Sequence, residues 1–212
     1  MNTDPSTATN VIELNNTGDN IVSSGIAGYY SDLGAVAAGA SKTFNINVHY
    51  TGPGTAPNDI VVTLASDQAT LTAYNTTNGT NKVIPPASVV SFPTSVTIKK
   101  GTSQTTVLAT ITVSADFDFN KAYALPIKIS AVSSGTISGN YAASVYSFGV
   151  RNVYDGAFKV TGTMVDAANS GLTGNYPMNA YLVTSGASTV RLYDKAVPGY
   201  YHSILSGGSL SY

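Results

Sequence analysis

The stretch from Lys121 to Gly156, KAYALPIKISAVSSGTISGNYAASVYSFGVRNVYDG, constrains the fold more than any other. Tyr123, Leu125, Ile127, Ile129 and Ala131 alternate with Ala124, Pro126, Lys128 and Ser130. Side chains on a strand point to opposite faces in turn, so this period of two predicts a strand with one buried face. Ser133 to Asn140, rich in Ser and Gly, reads as the connecting loop. Tyr141 to Arg151 runs back, apolar on both faces near its end, as in a strand covered on both sides. Asn152 to Gly156 breaks the pattern and reads as a seam into a second domain.

Composition supports strands over helices. Only 10% of residues are charged, and Thr, Ser, Asn and Gly fill the polar positions. Thr suits a pleated surface, and Asn and Gly suit turns. The net charge is -1, and apart from Lys99-Lys100 the basic residues are scattered singly. Nucleic-acid binding needs a basic stripe, so no nucleic-acid partner is expected. The chain has no Cys, which excludes disulfides and thiolate metal sites. No apolar run approaches the roughly 20 residues of a membrane-spanning helix. Residues 1–10, MNTDPSTATN, are polar and read as a disordered leader, with a targeting segment expected to have been removed upstream.

Further strands are predicted at Val11 to Leu14, Thr43 to Tyr50, Asp59 to Ala65, Val89 to Phe92, Val96 to Lys99 and Thr105 to Val113. Residues 21–41, rich in Gly, Ala and Ser, fit no pattern. Asp67 offers a cap to a short helix in which Leu71 and Tyr74 are three apart, and Asn75 to Lys82 reads as a polar loop. About seven or eight strands over roughly 140 residues predict an all-β sandwich across 11–152. Beyond the seam the pattern restarts, with candidate strands at Ala157 to Val165, Met178 to Thr184, Thr189 to Tyr193 and Tyr200 to Leu205. Roughly 60 residues are few for an independent all-β core without disulfides, so 153–212 is expected to be the start of an incomplete second β domain.

The segments TLTAYN (70–75), SFPTSVTIKKG (91–101), YALPIKISAVSSGTISGNYA (123–142) and RNVYDG (151–156) carry a family resemblance. Residues 10–152 resemble a domain of unknown function at the N-terminus of Bacteroidota cell-surface lipoproteins, in the glycan-utilisation (Sus-type) systems. The tail, 154–212, resembles the opening of the C-terminal β domain that often follows. The resemblance implies an Ig-like antiparallel β-sandwich at the outer membrane, anchored by a lipidated Cys upstream of this chain. It implies glycan and other outer-membrane glycan-uptake proteins as partners, and no cofactor. The same domain precedes catalytic barrels of the family 18 endo-glucosaminidase type, which carry D-x-x-D-x-D-x-E. This chain has no such run, and its one Glu is Glu13. The expectation is a module that is not an enzyme.

Candidate sites follow from residue chemistry. His49 lies on the polar face of its strand and reads as solvated. His202 stands near Asp194 and Ser206 without a nucleophile-elbow motif, so catalysis there is not expected. Asp116, Asp118 and Asn120 imitate the start of a calcium loop, but Lys121 and Ile127 stand where that loop needs Gly and Glu. A turn with wet carboxylates is the preferred reading there, and no metal is expected. The aromatic residues, 14 Tyr and 6 Phe, offer more. Exposed rings stack on the apolar faces of sugars, and flanking amides bind hydroxyls. Tyr29-Tyr30 and Tyr200-Tyr201 are adjacent pairs, so in a strand one ring of each points away from its neighbour. These four are the candidate ligand-binding residues, against the alternative that they cover sheet edges. The expected function is to bind or present carbohydrate at the cell surface. The alternatives are an adhesin-like or spacer domain with no ligand, or an accessory domain of an enzyme whose active site lies beyond Tyr212.

Overall fold

The computed structural model describes residues 10–15, 21–23, 26–163, 165, 167–168, 170 and 176–194. The chain divides into two compact units, Met1–Gly34 with Ala38–Val150, and Ala35–Ala37 with Arg151–Tyr212.

The first unit is built from β1 (Val11–Leu14), β2 (Ile21–Ser23), β3 (Ile26–Ala35), β4 (Ser41–Thr51), β5 (Ile60–Ser66), α1 (Gln68–Asn78), β6 (Val90–Ser91), β7 (Ser95–Ile98), β8 (Gln104–Thr112), β9 (Ala124–Val132), β10 (Thr136–Ile137) and β11 (Ala143–Arg151). A 5-stranded sheet runs β10-β1-β4-β8-β6, and a 6-stranded sheet runs β2-β3-β11-β9-β5-β7. The longest ladder pairs β4 with β8 antiparallel, from Ser41 opposite Thr112 to His49 opposite Gln104. Alternation sends Phe44, Ile46 and Val48 inward from β4, and Val107, Ala109 and Ile111 from β8. Leu125, Ile127 and Ile129 of β9 meet them from the other sheet, joined by Tyr146 and Phe148 of β11. Burying each such aliphatic chain contributes about 1.5–3 kcal/mol. Tyr29 stacks on Tyr146 of the same sheet at 5.2 Å, and Phe44 bridges the layers, 6.0 Å from Tyr146 and 6.1 Å from Phe148. This is the all-β, Ig-like sandwich that the spacing and the resemblance imply.

The structure departs from the sequence reading at several places. Ala131 is exposed, although the alternation from Tyr123 aims it inward. On β5, Thr63 pairs with Ala131 and Leu64 with Ile129, so Ser130 is an extra residue in β9. That bulge reverses the face, and Val132 turns back towards the core. Residues 26–35, which fit no sequence pattern, form β3, whose inward side chains are the buried Ala27 and Tyr29 and the partly buried Leu33. The 75–82 stretch is only half loop, because α1 continues to Asn78 and stops at Gly79, with φ 61° in the left-handed region. Asp67 caps α1 by accepting from the Thr70 amide at 2.9 Å. The 133–140 loop holds the short β10, parallel to β1. His49 is half-buried rather than solvated; its Nε2 is shut off from solvent and meets no hydrogen-bond partner among the described residues.

The second unit contains β12 (Gly156–Val160), β13 (Met178–Thr184) and β14 (Val190–Asp194), an antiparallel sheet in that order. The first strand ends at Val160, earlier than Val165. The 200–205 candidate strand lies outside the described residues. Residues 152–155 are held by polar contacts within the second unit. Asn152 is fully buried, and its amide donates to the Gly186 and Ala187 carbonyls at 3.0 and 2.8 Å. Its Oδ1 accepts from the Tyr154 amide at 2.9 Å. Asp155 accepts from the Thr184 amide and hydroxyl, both at 2.7 Å. A buried amide whose nitrogen and oxygen both have partners is satisfied, which explains why polar residues interrupt the apolar pattern here.

Candidate functional site

Tyr29 and Tyr30 part as β3 alternates. Tyr29 faces the core at 7% exposure, and Tyr30 faces out at 64%. Tyr29 is therefore held by packing, and of this pair only Tyr30 offers a ring. Tyr200, Tyr201 and His202 lie outside the described residues.

Two glycines determine how the outer face of the 6-stranded sheet is covered. A Cβ at Gly28 would stand 2.5 Å from the Tyr74 hydroxyl and 2.8 Å from its ring, so only Gly lets Tyr74 lie on β3. A Cβ at Gly149 of β11 would collide with the Tyr30 hydroxyl. Tyr30 thus reaches from β3 over the neighbouring strand. Leu71 and Tyr74 of α1 pack onto Ala124 of β9 and Val145 of β11, which seals the middle of this face.

Where α1 stops, the seal ends. A hollow of about 590 Å³ opens there, lined by Tyr30, Tyr74, Asn78, Thr80, Lys82 and Ser147, with Gly28 and Tyr29 beside them. The segment after the helix is fastened by Asn75. Its Oδ1 accepts from the Thr80 hydroxyl at 2.7 Å and the Lys82 amide at 3.1 Å, and its Nδ2 donates to the Lys82 carbonyl at 2.8 Å. Asn78 donates to the Tyr74 carbonyl at 2.8 Å. Burial raises the pKa of the Tyr74 phenol and lowers that of the Lys82 ammonium from their ordinary values. No carboxylate is among the described residues that line the hollow. The arrangement can stack an apolar ring face on Tyr30 and offer amide, hydroxyl and ammonium donors to oxygens around it.

The 116–120 turn spreads its acids over separate partners. Asp116 accepts from Ser88 at 2.6 Å, while Asp118 accepts from the Asn120 amide at 2.9 Å in a local turn. Among the described residues no group of three or more His, Cys, Asp or Glu could hold a metal ion.

Sequence reasoning found Tyr30 but missed Tyr74, Asn78, Thr80, Lys82 and Ser147. The usable signal was glycine inside a strand, Gly28 and Gly149, which marks close approach by another group.

No curated protein matches the chain. Solved structures with the same fold include two proteins of unknown function from Bacteroides ovatus. One has 15% identity and TM-score 0.59, covering 86% of this chain and 61% of its own. The other has 21% identity and TM-score 0.54, covering 86% and 58%. An auxiliary nutrient binding protein from Bacteroides thetaiotaomicron has 18% identity and TM-score 0.51, covering 82% and 62%. The chain thus spans about three fifths of the length of these solved chains. A family model described as "-like, N-terminal domain" matches residues 25–136. Because that match spans more than half of the 212 residues, the chain belongs to this family of N-terminal domains, in agreement with the resemblance its residues carry.

Proposed function

We propose that this chain is a non-enzymatic surface module that binds carbohydrate in the hollow beside Tyr30, as part of an outer-membrane lipoprotein anchored upstream. One observation carries the reading: an exposed ring laid across Gly149, at the rim of a hollow walled by the Tyr74 ring together with amide, hydroxyl and ammonium groups. A sugar ring has apolar C–H faces and a polar edge, and this surface offers a complement to both. The family, and a fold shared with an auxiliary nutrient binding protein, support a role in nutrient capture. Among the described residues the lining holds no carboxylate pair of the kind that glycoside hydrolysis uses, which favours holding a glycan over cleaving it.

The test is a glycan microarray read with the wild-type chain and Tyr30→Ala. The expected result is binding to a defined glycan set, weakened about tenfold by the substitution, with the melting temperature unchanged. Binding that ignores the loss of Tyr30 moves the site elsewhere. Binding to nothing overturns the reading and favours a spacer domain.

A further inference from the structure

Among the described residues, the lining of the hollow carries one charged side chain, Lys82. It is half-buried, and no ion-pair partner stands beside it among the described residues. Lysine stems commonly lie along apolar surface with the ammonium in bulk water. Here the ammonium is desolvated enough for burial to pull its pKa down. Such an arrangement costs free energy unless something compensates it.

The nearby end of α1 is one source of compensation, because the last carbonyls of a helix attract cations. That end is engaged at two carbonyls. The Gly79 and Thr80 amides both donate to the Asn75 carbonyl, and the Asn78 side chain donates to the Tyr74 carbonyl. A helix end also does not require its cation to be fixed. The Lys82 backbone is pinned on both sides by the Asn75 amide, so the stem starts from a defined place. Across the opening stand Tyr30 and Ser147, which are neutral. Among the described residues that line the hollow, Lys82 therefore supplies the one positive charge, with donors around it and no acid.

We infer that the sugar taken by this hollow carries an anionic substituent, a carboxylate or a sulfate, seated against the Lys82 ammonium while its ring lies on Tyr30. This rests on the carbohydrate reading and narrows it. An exposed charge in water gains little from an ion pair, but a half-desolvated one gains more, so discrimination between acidic and neutral sugars is the expected signature.

The experiment reads the full chain, Lys82→Met and Lys82→Arg on an array holding matched acidic and neutral glycans. Trigalacturonic acid against its methyl ester, and a κ-carrageenan tetrasaccharide against its desulfated form, are then titrated to separate carboxylate from sulfate. The expected result is at least tenfold preference for one acidic probe, erased by Lys82→Met and kept within a few-fold by Lys82→Arg, which preserves the charge. Circular dichroism checks that each variant is folded. Binding confined to neutral glycans, or acidic binding that survives Lys82→Met, overturns this inference and leaves the carbohydrate reading standing. Binding to no glycan overturns both.

Discussion

The outer faces of the two sheets follow different rules. On β4 and β8 the outward residues include Asn45, Asn47, Thr106, Leu108 and Thr112, and none is buried. On the facing sheet, Tyr123 to Ile127 and Ser144 to Phe148 are each five consecutive buried residues. The cause is α1. Leu71 and Tyr74 take Ala124 and Val145 out of water, so both faces of those strands are dry. One sheet thus has a wet side and keeps a clean alternation. The other has a second, small apolar layer, and the candidate site lies where that layer ends.

A matched pair of substitutions puts this contrast at risk. Val145 and Leu108 both point outward from their sheets, at 0% and 52% exposure. Val145→Asp leaves an unpaired charge beneath α1 and is expected to cost about 3–5 kcal/mol. Leu108→Asp faces water opposite Asn45 and is expected to stay within about 0.5 kcal/mol. Urea denaturation of both variants reads the difference. Equal losses would mean that the two outer faces are alike and that α1 shields nothing.

Legibility in the sequence followed the same division. Strands with a wet face declared themselves: β1 and β13 sit at Val11–Leu14 and Met178–Thr184, as the pattern predicts. β3 did not, because its outward positions hold Gly28 beside Tyr30, and a small residue there breaks the polar half of the alternation. The Ser130 bulge was invisible because nothing in KISAV distinguishes an extra residue from a regular one; only the partner strand β5 defines it. The helix cap at Asp67 was readable, since an acceptor at that position has a local meaning. The helix end was not, because Asn75 to Asn78 are polar and suit a loop equally well until Gly79 caps them. The site was legible only through Tyr30. Its other walls come from segments distant in sequence, and only the topology brings them together.

Gly28 tests the close approach on which the covering layer depends. Gly28→Ala drives a methyl against the hydroxyl and ring of Tyr74, which is buried at 6% exposure and must shift to make room. The expected loss is about 1–3 kcal/mol, of the size that overpacking gives. The same variant is expected to weaken glycan binding, because the displaced Tyr74 ring is part of the hollow's wall. A melting temperature equal to wild type would show that α1 sits loosely enough to yield, and would weaken the claim that a fixed helix end shapes the site.

The smallest expected effect concerns how α1 begins. Asp67 accepts hydrogen bonds from the amide and the hydroxyl of Thr70, and the hydroxyl contact, followed by the amide, lowers the pKa of its carboxyl against the opposing pull of burial. Asp67→Ala removes the cap and is expected to cost about 1 kcal/mol at neutral pH. Since the folded-state pKa lies below the unfolded value, the unfolded chain binds the proton more readily. The contribution is therefore fully present above the unfolded carboxyl pKa and is lost as pH falls through the lower folded value. Stability curves of wild type and Asp67→Ala should run parallel from pH 7 to about 5 and converge below about 4. A gap that stays constant into acid would mean that the carboxylate is not what holds the helix start. The shield over the 6-stranded sheet would then rest on Leu71 and Tyr74 alone.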